Sequence, residues 1–465
     1  MSGIFSPEQI SIASIRIEAE RFPQGQALSI AGYEVTGAPI AVEFNMYESM
    51  FKPYTTAALT IQDDADLYRL ADISGVERVI IEFEAADFQG SLIKKTYIIR
   101  NVEKSVKSND YTNMINLSLV EDIKYYNDLN TISRAYTGTG EKILSDIIRD
   151  QFNRELVIEA KDSFQKEFRF IVPYLTAFDA IKKILSKMST ELGMPYFLYS
   201  SIYSDDFILT DLETIIGKPA FNDRKPFTYS QAQANMASGD LEAKALSIIN
   251  YSGRNLENTL ALAKGGGIGS RSMFIDATSG QVSDNHINMF ERLSVLVDND
   301  LINPDHTVIS IDNEFIADPS GIDRRTIGDF NTANFNMVTS SPYPELVDGE
   351  GQTVSNSVLG FNEDDRLGFS SLRLIKEHFI SNLVKNVYNI FVPGLVFSYK
   401  NNNTSVGNVI QIEIMKNNVE TNEIELTDSK RSGNFLMLSK AHIFNIQSDT
   451  HNVSIDISRI TNRVD

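Results

Sequence analysis

The sequence predicts an α+β, mainly β protein, with two similar antiparallel β-barrel domains separated by helical and mixed insertions. Three observations carry this expectation. A strand-turn-strand pattern occurs twice with identical spacing. In the first copy Tyr97 opens a strand, and eighteen residues later Ile115, Leu117 and Leu119 alternate with Asn116 and Ser118. In the second, Phe435 opens the strand, and Val453, Ile455 and Ile457 alternate with Ser454, Asp456 and Ser458. The copies superimpose without a gap at an offset of 338 residues, from 97 to 435. Alternation of period two buries one face of a strand. Strand-like text also dominates both ends of the chain, and helical periodicity is confined to the middle.

The elements follow in order. Residues 1–125 read as the first barrel, with strands at Ala57–Ile61, Val79–Phe83, Tyr97–Val102 and Ile115–Val120, punctuated by turn signals at Ser74 and Gly75 and at Ser108, Asn109 and Asp110. Residues 126–229 read as a mixed α/β insertion. One helix there follows Thr139 and carries Ile143, Leu144, Ile147, Ile148 and Phe152 on one face. Another starts at Thr176, an N-cap with Asp179 three positions on, and aligns Phe178, Ile181, Leu185 and Met188. Residues 230–283 begin the second barrel, with a strand at Leu246–Tyr251 and a glycine-rich connection at 264–270. Residues 284–390 form a helical and loop-rich insertion. Its expected helices run through Ile287, Phe290 and Leu293, and from Ser371 through Leu372, Ile375, Phe379, Leu383 and Val387. Between them, 304–360 holds Pro319, Pro342 and Pro344 and reads as loop-rich, either a place for partner contacts or a surface loop without a partner. Residues 391–465 complete the second barrel with strands at Val409–Ile414, Phe435–Phe444 and Val453–Ile460.

Composition excludes several classes. The 465 residues are 42% apolar and 22% charged, enough for two to four domains each with its own core. A formal charge of −20 argues against an outer surface that grips nucleic acid or anionic lipid. The absence of cysteine excludes disulfides, thiolate metal sites and a cysteine nucleophile. Met1–Ile10 has no signal-like pattern, and no segment reaches the roughly 20 apolar residues that span a bilayer. Synthesis and residence in a cytoplasm, with no direct membrane anchor, are expected.

No motif supports catalysis. Thr137, Gly138, Thr139, Gly140, Glu141 and Lys142 precede a helix as a phosphate loop does. Glu141 separates the glycine from the lysine, however, Ile143 follows it, and Ala135 stands at the upstream glycine position. A helix cap at Thr139 explains the run better. Gly265–Gly269 lacks the context of a dinucleotide fingerprint. The histidines, His286, His306, His378, His442 and His451, have no zinc-site spacing. His442 and His451 lie in the two strands of one hairpin and can approach each other, but lack a third ligand. The acidic clusters Asp63–Asp64, Asp205–Asp206 and Glu363–Asp365 read as solvated turns. No GxSxG serine motif occurs. Catalytic, cofactor-binding and metal-binding residues are therefore assigned as none, with no cofactor.

Several local patterns, in order along nearly the whole chain, carry a family resemblance. They are the run Tyr54–Asp63 entering an acidic turn, Ile73–Glu77 leading into the strand Arg78–Phe83, and Asn130–Tyr136 running into the helix Glu141–Phe152. The last are Ser432–Leu438, Lys440–Phe444 and the closing strand His451–Ile457. With the duplicated hairpin, the chain resembles the central hub proteins of contractile phage-tail baseplates, whose fold recurs in the hub part of type VI secretion spike proteins. The resemblance implies a homotrimer forming a pseudo-sixfold ring of barrels, which adapts the sixfold tail tube to a threefold central spike and gives DNA a channel. It implies the spike and tail tube proteins as partners, with the tape measure and baseplate wedge proteins as further candidates. It also implies no sequence-specific nucleic-acid binding and a place in the virion tail baseplate. The sequence stops at Asp465, so a hub binding a separate spike is expected, not a fused needle. The alternative is a tail-associated peptidoglycan hydrolase on a similar scaffold.

Overall fold

The computed structural model describes residues 6–22, 27–32, 40–64, 72–85, 91–107, 113–160, 167–190, 193–229, 241–255, 269–276, 282–288, 332–340, 346–347, 353–354, 376, 378–381, 383–384, 386–417, 424–428 and 431–459. The N-terminal strands are β1 (Ile10–Glu18), β2 (Leu28–Gly32), β3 (Ala41–Ser49), β4 (Thr56–Asp63), β5 (Arg78–Ala85), β6 (Ile93–Lys107) and β7 (Asn113–Glu121). Then come α1 (Asp122–Leu129), β8 (Ile132–Thr139), α2 (Gly140–Phe152), β9 (Leu156–Ile158), β10 (Glu167–Leu175), α3 (Ala177–Lys187), β11 (Tyr196–Ser201), β12 (Ser204–Asp211) and α4 (Leu212–Ile216). They are followed by β13 (Phe227–Tyr229), α5 (Leu241–Ala245), β14 (Asn250–Asn255), β15 (Gly269–Asp276), β16 (Val282–Asn288), β17 (Thr332–Ser340), β18 (Leu346–Val347) and β19 (Thr353–Val354). The last are β20 (Asn386–Pro393), β21 (Val409–Asn417), β22 (Ile424–Thr427), β23 (Gly433–Asn445) and β24 (Thr450–Arg459).

A 14-stranded, mostly antiparallel sheet organises the molecule, and along its length runs the order β14-β20-β24-β23-β3-β4-β7-β6-β5-β1-β2. The duplicated hairpin is present at backbone level. Tyr97 pairs with Glu121 in β6/β7, and Phe435 pairs with Arg459 in β23/β24, so both partners are offset by 338 residues. Both hairpins shift register at the same place, between Ile99 and Asn101 and between Met437 and Ser439. A bulge kept at equivalent positions is a built feature of the hairpin. The neighbours match too: β5 flanks β6 (Val79 opposite Tyr97) as β21 flanks β23 (Ile410 opposite Phe435). Likewise β4 flanks β7 as β20 flanks β24, with β3 and β14 beyond them.

The sequence leads to two barrels, yet among the described residues no strand pairing closes either copy. The copies are halves of one sheet, joined where β23 pairs antiparallel with β3 from Ser439 opposite Ser49 to Asn445 opposite Glu43. Each half keeps its own core. Phe44, Leu59, Ile81, Phe83, Tyr97 and Leu117 are buried in the first, and Phe227, Ile390, Ile410, Phe435 and Ile455 in the second. The middle segment has a third core, in which α2 and α3 pack with β8, β10, β11 and β12 around Leu144, Ile147, Val172, Ile181 and Leu209.

Both helix starts follow the sequence. Thr139 accepts the Lys142 N–H, and Thr176 accepts the Asp179 N–H while its hydroxyl donates to the Asp179 carboxylate at 2.8 Å. Four local expectations need correction. Ile287 lies in β16, where it pairs with Ser270 of β15, and Val387 lies in β20, opposite Ser458. In both cases a helical three- or four-residue spacing was overridden by strand pairing, which a short apolar spacing does not resolve. The strand expected at Leu246–Tyr251 begins at Asn250, and Asn130–Tyr136, expected as a short link into the helix, is mostly the strand β8. Phe290, Leu293, residues 371–375 and most of 304–360 fall outside the described residues, although β17 to β19 lie in the last of these stretches.

Candidate functional site

The seam between the two halves holds a cluster of buried polar side chains. Along β3, Phe44 and Met46 point into the core, and period two puts Glu48 on the same face. On β23 the same rule lines up Lys440, His442 and Phe444. Pairing sets Lys440 directly opposite Glu48. Their charged groups are 3.7 Å apart, with both side chains fully buried.

Neighbours satisfy much of this pair. Glu48 Oε1 accepts the Ile202 N–H at 3.2 Å, and Lys440 Nζ donates to the Thr404 carbonyl at 2.8 Å and to Tyr203 Oη at 3.4 Å. The ammonium also lies 4.8 Å and 5.2 Å from the ring centres of Tyr203 and Phe397. Burial pushes the Lys440 pKa down to about 8, with Glu48 opposing the shift. The lysine is therefore predominantly charged at neutral pH.

A second chain of bonds starts beside it. His442 Nδ1 and His451 Nε2 are 3.0 Å apart, His451 Nδ1 is 3.0 Å from Ser398 Oγ, and Ser398 donates to the Gly394 carbonyl at 2.9 Å. Burial, with Lys440 adding to it, holds His451 down to about 3 and His442 well below its ordinary value. Burial keeps both rings neutral, and each bond along the chain has one atom donating and one accepting, as the tautomers set it. His442 Nε2 lies 3.9 Å from Glu48. The rings of Phe444 and His451 stack at 4.3 Å between centroids.

Gly394 is required where it stands. A Cβ there would lie 2.2 Å from His451 Nδ1 and 2.6 Å from the His451 carbonyl. Gly394→Ala is expected to destabilise the fold by about 1–3 kcal/mol, as overpacking does. Thermal melts of the two proteins check this; an unchanged midpoint would show that the loop carrying Gly394 yields freely.

The approach of His442 to His451 follows from their places in one hairpin, but their surroundings are a lysine, a carboxylate and a serine in a sealed core. No group of three metal-ligating side chains occurs among the described residues. Sequence reading missed Glu48 and Lys440, although each interrupts an apolar strand face in phase with phenylalanine. Asp205 and Asp206 lie in β12, not in a turn, and Asp205 bonds Lys95 at 3.1 Å and Arg154 at 3.2 Å. Burial raises the Asp205 carboxyl, but these two cations outweigh it and leave it below its ordinary value. This cluster ties the middle segment to β6 of the first half. Asp63 ends β4, buried, and His378 is buried too. His306, Glu363–Asp365 and residues 265–268 fall outside the described residues, while Gly269 begins β15 and of His286 only the strand position in β16 is described.

On the opposite face of the seam the side chains are mostly small or polar. One row across the joined halves reads Asn452, Ile443, Asn45, Ala58, Ser118, Asn101. Nearby, Asn389 donates to Asp456 at 2.8 Å and Ser454 at 2.9 Å, while Ser439 donates to Asp456 at 2.6 Å. A groove of about 460 Å³ opens on this face, lined by Ser49, Phe51, Ser252, Asn389, Ser439 and Asp456 among others.

Among solved structures, the tail protein from Neisseria meningitidis MC58 aligns over 97% of this chain and 98% of its own, with a TM-score of 0.51 and 11% identity. The chain shares the fold of that tail protein. A 43 kDa tail protein of prophage MuSo2 from Shewanella oneidensis aligns over 96% of this chain and 98% of its own, with a TM-score of 0.49 and 11% identity. An E. coli component of the type VI secretion system aligns over 92% and 76%, with a TM-score of 0.41 and 7% identity. No protein-family model and no curated protein sequence matches the chain. No helix among the described residues of this tail-protein fold is long and apolar enough to cross a membrane.

Proposed function

We propose that the protein is the central hub of a contractile phage-tail baseplate, a homotrimer whose sheet halves form a pseudo-sixfold ring between the tail tube and a threefold spike. One observation carries the reading. The pair joined inside the chain, β23 with β3, has a counterpart in the other two equivalent strands, β6 and β14, and these have their edges open. β5 pairs with β6 only at Ile93–Ile98, which leaves the outer edge of 101–107 without a strand partner among the described residues. β14 pairs only with β20 among them. An edge strand is a template for pairing. The internal seam uses the same two kinds of edge, so β6 of one copy and β14 of the next repeat it between chains. Such a contact is heterologous and closes into a ring when its rotation permits.

In that ring the small polar face lines the channel. Its hydrogen-bonding groups are engaged with one another along Asn389, Ser454, Asp456 and Ser439, and Glu43 and Asp456 bring negative charge. Spike and tube proteins are the partners of the two rims, with tape measure and wedge proteins as further candidates.

Light scattering of the full chain, alone and with its spike, tests the reading. A species near three times 52.0 kDa is expected. Amide exchange should slow at 101–107 and 250–255 in that species. A strict monomer under both conditions, or assembly that leaves those amides unprotected, would remove the ring.

A further inference from the structure

We infer that the buried Glu48–Lys440 pair selects which sheet edges join, restricting β23 to β3 and leaving β6 and β14 for each other. The inference rests on the ring reading above and adds to it a specificity device. Because the halves repeat, each chain offers two edges of one kind, β6 and β23, and two of the other, β3 and β14. Four pairings are then open by backbone geometry alone, and two of them are wrong.

The register says what each wrong pairing would meet. Lys440 is opposite Ile455 in its hairpin and Val102 is opposite Leu117, the same place 338 residues apart. Leu59 faces Leu117 as Ile390 faces Ile455, so these two also hold equivalent places. Phe44 is opposite Leu59 and Tyr251 opposite Ile390, so Asn255 holds in β14 the place of Glu48 in β3. Pairing β23 with β14 would set Lys440 opposite Asn255, which has no carboxylate. Pairing β6 with β3 would set Glu48 opposite Val102, which has no cation. Each error strands a buried charge, whereas the observed seam matches the two and the β6/β14 pairing places Val102 opposite Asn255 with no charge to strand. Buried polar groups are known to fix register and partner at little or negative gain in stability.

The experiment compares wild type with two double variants of the full chain, Glu48→Gln/Lys440→Met and Glu48→Leu/Lys440→Met. The first retains an acceptor for the Ile202 N–H. Removing both charges together should leave a folded core. Native mass spectrometry and light scattering are then expected to show wild type as one species and the variants as a distribution, with the fraction of other masses rising about tenfold, the change that about 1.4 kcal/mol of lost discrimination gives. Variants that fold and keep the wild-type distribution would overturn the inference, and so would failure of both to fold. A monomeric wild type would overturn the ring reading separately. In that case new self-associated species in the variants would still support the selecting role, and unchanged monomers would end it.

Discussion

Lys440→Met alone is expected to destabilise the protein by about 3–5 kcal/mol, because it leaves the Glu48 carboxylate buried without its counter-ion. The side chains of both residues are fully buried, so water does not replace the lost partner. The Thr404 carbonyl loses its donor as well. Glu48→Leu should cost a comparable amount by stranding the ammonium between Tyr203 and Phe397. The double replacement should recover most of the loss, since two apolar side chains in the same space remove both desolvation penalties. Chemical denaturation of the two single variants and the double variant closes the cycle. Additive losses in the double variant would contradict a direct pair and point to independent packing defects.

Stability is expected to fall steeply as pH drops below 6.5. The folded state holds His451 at about 3 and His442 well below 6.5, through burial first and the Lys440 charge second. In the unfolded chain both imidazoles take up protons near pH 6.5. Below that pH the unfolded state therefore binds more protons than the folded state, and stability is lost as pH falls until the folded-state values are reached. Each histidine contributes about 1.4 kcal/mol per pH unit within its window. Glu48 and Lys440 from the two facing strands, with Ser398 from the loop after β20, are the polar groups around the rings. Between pH 6.5 and 5, above the carboxylate range, the slope should therefore approach about 2.7 kcal/mol per unit. His442→Phe should lower it by one proton's worth. Equal slopes for variant and wild type over that interval would show that His442 titrates normally in the fold.

How much was legible follows from range. Thr139 and Thr176 were readable because a cap is decided by residues three apart. The hairpins were readable because an offset of 338 with the same alternation in both copies leaves little freedom in register. Val387 and Ile287 were misread because each fits a helical step as well as a strand, and their partners, Ser458 and Ser270, lie 71 and 17 positions away along the chain. The polar core at the seam left only a faint signal. Glu48 and Lys440 are charged residues on apolar strand faces, and nothing within either strand says that the other lies opposite.

The sequence by itself determined the mainly β class, both copies of the hairpin, their common register and the helix starts, since all of these depend on local periodicity and short-range hydrogen bonds. Only the tertiary structure decided that the copies share one sheet, that β23 takes β3 as its neighbour, and that a lysine and a glutamate 392 positions apart, at 440 and 48, form a buried pair. The reason is physical: an open strand edge accepts any strand of suitable length, and the burial and the pairing of residues from distant segments exist only once the chain has folded.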